Sequence, residues 1–175
     1  ENELRWQVNT SLAYNTKGLC YYTYWCPVPE HKKMCIHESG EKTNNYYFVQ
    51  QINKELLFID EYILNADFKG YMLFGKTPNN EIPVKDDEIK SFGCIKGVSG
   101  GNLFIGCFDY YANDKVYKMY IVVNNSISEK INEELYFNGK INYTKLHRET
   151  KESYFDDTVN LDLTPGDAYI IIEDL

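Results

Sequence analysis

Basic residues are in short supply: 18 Lys and Arg stand against 26 Asp and Glu, a formal net charge of −8. An acidic surface repels a phosphate backbone, which argues against a nucleic-acid partner. Long apolar runs are missing too. No segment offers the roughly 20 apolar residues that a bilayer-spanning helix needs, so no membrane partner is expected. Cysteine is sparse and odd in number, and the scatter of Cys20, Cys26, Cys35, Cys94 and Cys107 does not resemble a disulfide framework. Cys94 and Cys107 lie in apolar strand patterns and read as buried thiols. Cys26 and Cys35 bracket a loop that also holds His31 and His37. That spacing matches no standard zinc knuckle, so neither a metal nor a cofactor is expected. No signal peptide is visible, and the chain does not begin with Met. Its first residues already look helical, which reads as a cut or boundary ahead of Glu1 in a soluble chain.

Aromatic residues are plentiful: 16 Tyr and nine Phe must supply much of the core. Leu4, Val8 and Leu12 recur at four-residue intervals and predict a helix from about Glu3 to Asn15, with Gly18 as its stop. Leu19 to Trp25 then reads as a short strand. Cys20, Tyr22 and Tyr24 point one way and Tyr21, Thr23 and Trp25 the other. Bulky groups on both faces suit a strand covered on both sides, as in a parallel sheet. Pro27 and Pro29 end it, and a polar loop runs to about Thr43. A second helix, capped by Asn44 or Asn45, spans about Tyr46 to Asn65 with Phe48, Val49, Ile52, Leu56, Ile59 and Ile63 on one stripe.

After Asp67 the period changes to strict alternation. Strands are expected near Gly70–Phe74, Ser91–Lys96, Asn102–Asp109, Lys115–Val123, Glu134–Phe137, Ile141–Leu146, Thr158–Leu163 and Ala168–Glu173. Gly100-Gly101, Asn113-Asp114, Asn124-Asn125, Asn138-Gly139 and Pro165-Gly166 punctuate them as turns. The fold class is therefore α+β. Residues 1–68 carry a helix–strand–helix unit, and residues 69–175 form an antiparallel β-sandwich of about seven to eight strands. A lone buried strand needs partners on both edges, so either neighbouring strands lie elsewhere or it joins the sheet of the β-domain.

Leu4-Arg5-Trp6-Gln7-Val8, Ser11-Leu12-Ala13-Tyr14, Lys17-Gly18 and Tyr22-Thr23-Tyr24-Trp25 resemble the end of the catalytic domain in the β-galactosidase-like glycoside hydrolases. Gln51-Ile52-Asn53-Lys54-Glu55-Leu56 is similar to the last helix of that family's eight-fold βα-barrel. Leu163-Thr164-Pro165-Gly166-Asp167-Ala168-Tyr169 looks like the run that closes its small C-terminal sandwich. Asn15 departs from the glycine expected in the helix-end turn, but Asn also tolerates a left-handed backbone. The resemblance implies that residues 1–68 are the remnant of a βα-barrel, its last strand and flanking helices.

It also implies a retaining mechanism, whose two carboxylic acids sit about 5 Å apart. In the family they come from earlier barrel strands, which this chain does not contain, so no catalytic residue is assigned. Glu30 and Glu38 follow the strand end and read as ordinary loop acids. Trp25 remains as the candidate substrate-binding residue. At the end of a last barrel strand its ring would floor the sugar subsite beside the cleaved bond. Tyr22 and Tyr24 face away and read as packing. The leading expectation is the C-terminal part of a glycoside hydrolase, inactive alone, with carbohydrate as partner through the parent enzyme. A non-catalytic carbohydrate-binding β-sandwich is the alternative, with Tyr110, Tyr111, Tyr136, Tyr143 and Tyr154 available as a platform. The exposed barrel-remnant face is expected to drive homo-oligomerisation.

Overall fold

A computed structural model describes residues 1–25, 35–75 and 86–174. These residues form two helices, α1 (Asn2–Ala13) and α2 (Asn44–Leu64). Seven strands follow: β1 (Ala66–Phe74), β2 (Ile95–Val98), β3 (Leu103–Ala112), β4 (Lys115–Asn124), β5 (Ile131–His147), β6 (Thr150–Leu163) and β7 (Ala168–Asp174). Every strand pair is antiparallel, and the class is α+β. No helix among the described residues is long and apolar enough to cross a membrane.

The stripe on α1 does what its spacing predicts: Val8, Leu12 and Ala13 are buried and Leu4 packs beside them. The helix ends before Gly18, because Asn15 takes the left-handed backbone itself, at φ 71°. Thr43 caps α2, its hydroxyl accepting from the Asn45 N–H at 3.1 Å. Ile52 and Ile63 of α2 are buried in the same core, with Leu56 and Ile59 against them.

The sheet runs β1-β3-β4-β7-β5, and β5 determines its shape. One edge of β5 is occupied by β6 along both halves. The other edge pairs β2 through Leu135–Phe137 and β7 through Asn142–Leu146. Between the pairs Tyr136↔Thr158 and Ile141↔Asp156 the β5 chain holds more residues than its partner, a bulge that bends it. The sheet therefore curls over itself. Alternation then buries both faces of β3, β4 and β7. Phe104, Phe108, Met119, Ile121, Val123 and Ile172 meet the helices. Leu103, Ile105, Cys107, Tyr120, Val122 and Ile171 meet Leu135, Phe137, Leu161 and Leu163 on the inner side.

The Pro165-Gly166-Asp167 run ties these layers together. Gly166, at φ 71°, lies so close to α1 that an added Cβ would stand 2.5 Å from the Asn2 carbonyl oxygen and 2.6 Å from the Trp6 nitrogen. Its own carbonyl accepts from Asn9 Nδ2 at 2.8 Å. Asp167 is buried and receives His147 Nε2 and Arg148 Nη2, each at 3.0 Å, which holds the β5–β6 turn. Gly106 plays the matching part at the other end of α1, where a Cβ would stand 2.1 Å from the Ala13 carbonyl oxygen. A buried ion pair joins the helices: Arg5 Nη1 and Nη2 donate to Glu55 at 2.5 and 2.9 Å. Burial opposes the Arg5 charge, but the hydrogen bonds to Glu55 and Glu1 outweigh it and raise its pKa.

Three expectations are corrected. Leu19–Trp25 forms no strand; its one β contact is an isolated parallel bridge between Trp25 and Ile36. A strand exists only where a ladder partner runs beside it, and none of the seven strands does. Glu134–Phe137 and Ile141–Leu146 are one strand, because Asn138-Gly139 lies in the bulge and not in a hairpin turn. The real turn follows His147, with Arg148 at φ 54°, and β6 begins there, eight residues before the expected Thr158.

Candidate functional site around Trp25

Trp25 ends the segment that connects α1 to the approach to α2. The near end of this segment is pinned by Lys17, whose Nζ donates to the Ile63 and Ala66 carbonyls at 2.5 and 2.7 Å. A cation on the Ile63 carbonyl satisfies a group that the last turn of α2 cannot, and on Ala66 it holds the start of β1. Tyr21 anchors the middle, its hydroxyl donating to Asn53 Oδ1 at 3.0 Å. Burial pushes the Tyr21 hydroxyl pKa up. At the far end the Tyr24 carbonyl accepts from the Cys35 and Ile36 N–H groups at 3.1 and 3.0 Å. Between these anchors, Leu19–Thr23 make no backbone hydrogen bond among the described residues.

The side chains follow from that backbone. Tyr22 is 98% exposed, Tyr24 61% and Trp25 48%. Tyr22 and Tyr24 are thus not packing residues as expected; it is Leu19 and Tyr21 of this segment that pack against the core. Tyr24 reaches the first turn of α2, its ring 6.5 Å from that of Tyr46, and Tyr46 meets Tyr47 edge-on at 5.5 Å. Lys42 Nζ stands 4.2 Å from the Tyr46 ring centroid, a cation–π contact that fixes the ring. The outcome is an open aromatic surface built from the segment before Trp25 and the start of α2. Flat π faces with hydroxyl and indole donors at their rims suit ligands that present both C–H and O–H groups. Tyr46, Tyr47 and Lys42 were not singled out in the sequence. The signal was the tyrosine pair just inside a capped helix start, which helical periodicity absorbs into a stripe.

Of the acids and metal-type residues near Trp25, Cys35, His37 and Glu38 fall among the described residues. Glu38 lies in an exposed turn. Cys35 is buried, and burial pushes its thiol pKa up, while His37 is exposed. Glu30, Cys26 and His31 lie outside the described residues. Among the described residues no group of three or more His, Cys, Asp or Glu side chains could hold a metal ion.

The other tyrosines are dispersed. Tyr143 is buried with its hydroxyl on the Thr158 carbonyl at 3.1 Å, and Tyr154 stacks on it at 5.3 Å between centroids. Tyr136 bonds Glu134 at 2.6 Å. Tyr110 and Tyr111 line a cleft at the C-terminal end of α2. Asn124, which opens one Asn-x-Ser triplet, is fully buried and donates to the Glu129, Leu163 and Thr164 carbonyls, so it is a structural bracket. No protein-family model, curated protein or solved structure matches the chain.

Proposed function

We propose that this chain is the C-terminal part of a β-galactosidase-like glycoside hydrolase, supplying an aromatic sugar-binding wall and a structural β-domain but not the catalytic carboxylates. On this reading Leu19–Trp25 is the last strand of a βα-barrel awaiting its neighbours, and Trp25 floors the sugar subsite. The supporting observation is the combination found at one place: a backbone from Leu19 to Thr23 without partners among the described residues, carrying side chains that leave Tyr22, Tyr24 and Trp25 open. Unpaired backbone and exposed rings are what a barrel strand presents once its adjacent strands are removed. The same removal accounts for Leu57, Phe58 and Leu64, which α2 leaves exposed where a barrel or a second copy would pack. The sequence resemblance of Leu4–Val8, Ser11–Tyr14 and Tyr22–Trp25 supplies the enzyme class.

Two measurements test it. Hydrogen exchange should find the Leu19–Thr23 amides unprotected, and slow exchange there would mean that the segment already has its partners. A chromogenic β-galactoside should not be hydrolysed by this chain alone. Turnover would put the acid pair inside these 175 residues and refute the reading.

A further inference from the structure

A second opening lies at the far end of α2. Tyr46 and Tyr62 are 16 positions apart on that helix, roughly 24 Å by helix rise, so it is distinct from the Trp25 surface. The last turn of α2, the β3–β4 hairpin and the ends of β6 and β7 enclose a cleft of about 520 Å³. That lies within the range of about 300–1,000 Å³ typical of small-molecule sites.

Its floor is Tyr110, set between Tyr62 and Tyr117 with ring centroids 5.5 and 6.1 Å away. Tyr110 is only 6% exposed, yet its hydroxyl has no hydrogen-bond partner among the described residues, and it is not sealed from solvent. A buried phenol with its one polar atom open to a cleft is poised to bond something that enters. Around it stand charges of both signs. Lys151 Nζ donates to the Tyr62 hydroxyl at 3.0 Å and lies 5.6 Å from the same ring. The Asp174 carboxylate accepts from Thr144 at 3.3 Å, and Glu61 lines the same cleft.

These features narrow the ligand. Glu61 and Asp174 against one lysine disfavour an anion. The position above Tyr62 that a cationic ligand would take is already held by Lys151. An apolar ligand would leave the Tyr110 hydroxyl buried without a partner. We infer that the cleft binds one neutral saccharide unit, its C–H face on Tyr117 and its hydroxyls on Tyr110, Asp174 and Lys151. This goes beyond the glycoside-hydrolase reading and does not depend on it.

Amide NMR titration of the whole chain with galactose, glucose, xylose and N-acetylglucosamine tests it. At least one sugar should give saturable shifts at the Tyr111 and Asn113 amides, with a dissociation constant in the millimolar range. Tyr110→Phe removes one oxygen and should weaken that binding about five- to tenfold. Lys151→Gln, at the exposed rim, should weaken it several-fold and guards against a folding artefact in the first variant. Flat titrations with all four sugars, unchanged affinity in both variants, or tighter binding of choline or sulfate at those amides would overturn the proposal. The Trp25 indole signal reports the other surface in the same spectra, so either idea can fail alone.

Discussion

Asp167→Asn should cost this protein several kcal/mol at neutral pH and far less in acid. Asp167 is 3% exposed, and burial alone would push its carboxyl up. The hydrogen bond and charge of His147, and the charge and hydrogen bond of Arg148, outweigh burial and hold it at about 2, against an ordinary 3.8. That difference corresponds to about 2.5 kcal/mol of stability. The folded-state value is depressed, so the contribution is full above about pH 5, falls as the pH drops through 3.8, and is gone below about 2. Thr164 Oγ1 at 3.2 Å and the Ala168 N–H at 3.0 Å complete the shell, so an amide of the same shape also leaves donors facing its NH₂. We expect urea unfolding to give a difference between wild type and Asp167→Asn of about 3 kcal/mol near pH 7. It should shrink by about 2 kcal/mol near pH 2.5. Comparing the two proteins cancels the titration of the other acids. A gap of the same size at both pH values would refute the idea that ionic contacts with His147 and Arg148 hold Asp167 in its site.

Other perturbations follow from the same contacts. Glu55→Ala leaves the buried Arg5 guanidinium with Glu1 alone and should cost about 3 kcal/mol in urea melts, whereas replacing the pair by Met and Leu should be near neutral. Gly106→Ala forces its methyl against the Ala13 carbonyl and should lower stability by about 1–3 kcal/mol with an unchanged sheet signal by circular dichroism. Trp25→Ala, on a half-exposed ring outside the core, should alter stability by no more than about 0.5–1 kcal/mol. A loss several times larger would make Trp25 a core residue.

What the sequence made legible was the part governed by periodicity. The stripes Leu4, Val8, Leu12 and Ile52, Leu56, Ile59, Ile63 face the core, and strand positions from Leu103 to Val123 match because burial on alternate faces is written directly in residue order. Cys107 is buried as expected, and burial pushes its thiol up to about 12. What failed depended on partners far along the chain. Tyr21 to Trp25 alternates like a strand, but a ladder needs a neighbour that sequence periodicity cannot supply. Asn138-Gly139 carries the chemistry of a hairpin turn, yet β6 continues past it and turns it into a bulge. Thr150–Asp157 carries no strand signal, because an edge strand exposed on both faces has no alternation to read. At the candidate site, Tyr46 meets Tyr24, and Lys42 meets Tyr46, only through the approach of α2, which residue order does not show.

The most direct test of the Trp25 surface uses the chain's two tryptophans as site and control. Trp6 donates its indole N–H to Asn125 Oδ1 at 2.9 Å within the fold, whereas Trp25 is open. In a titration with lactose, the Trp25 indole N–H resonance should move saturably, in the range of about 1–100 mM, while that of Trp6 stays fixed. A Trp25 resonance that does not move across that range, or that moves only in step with Trp6, would contradict the sugar-wall account.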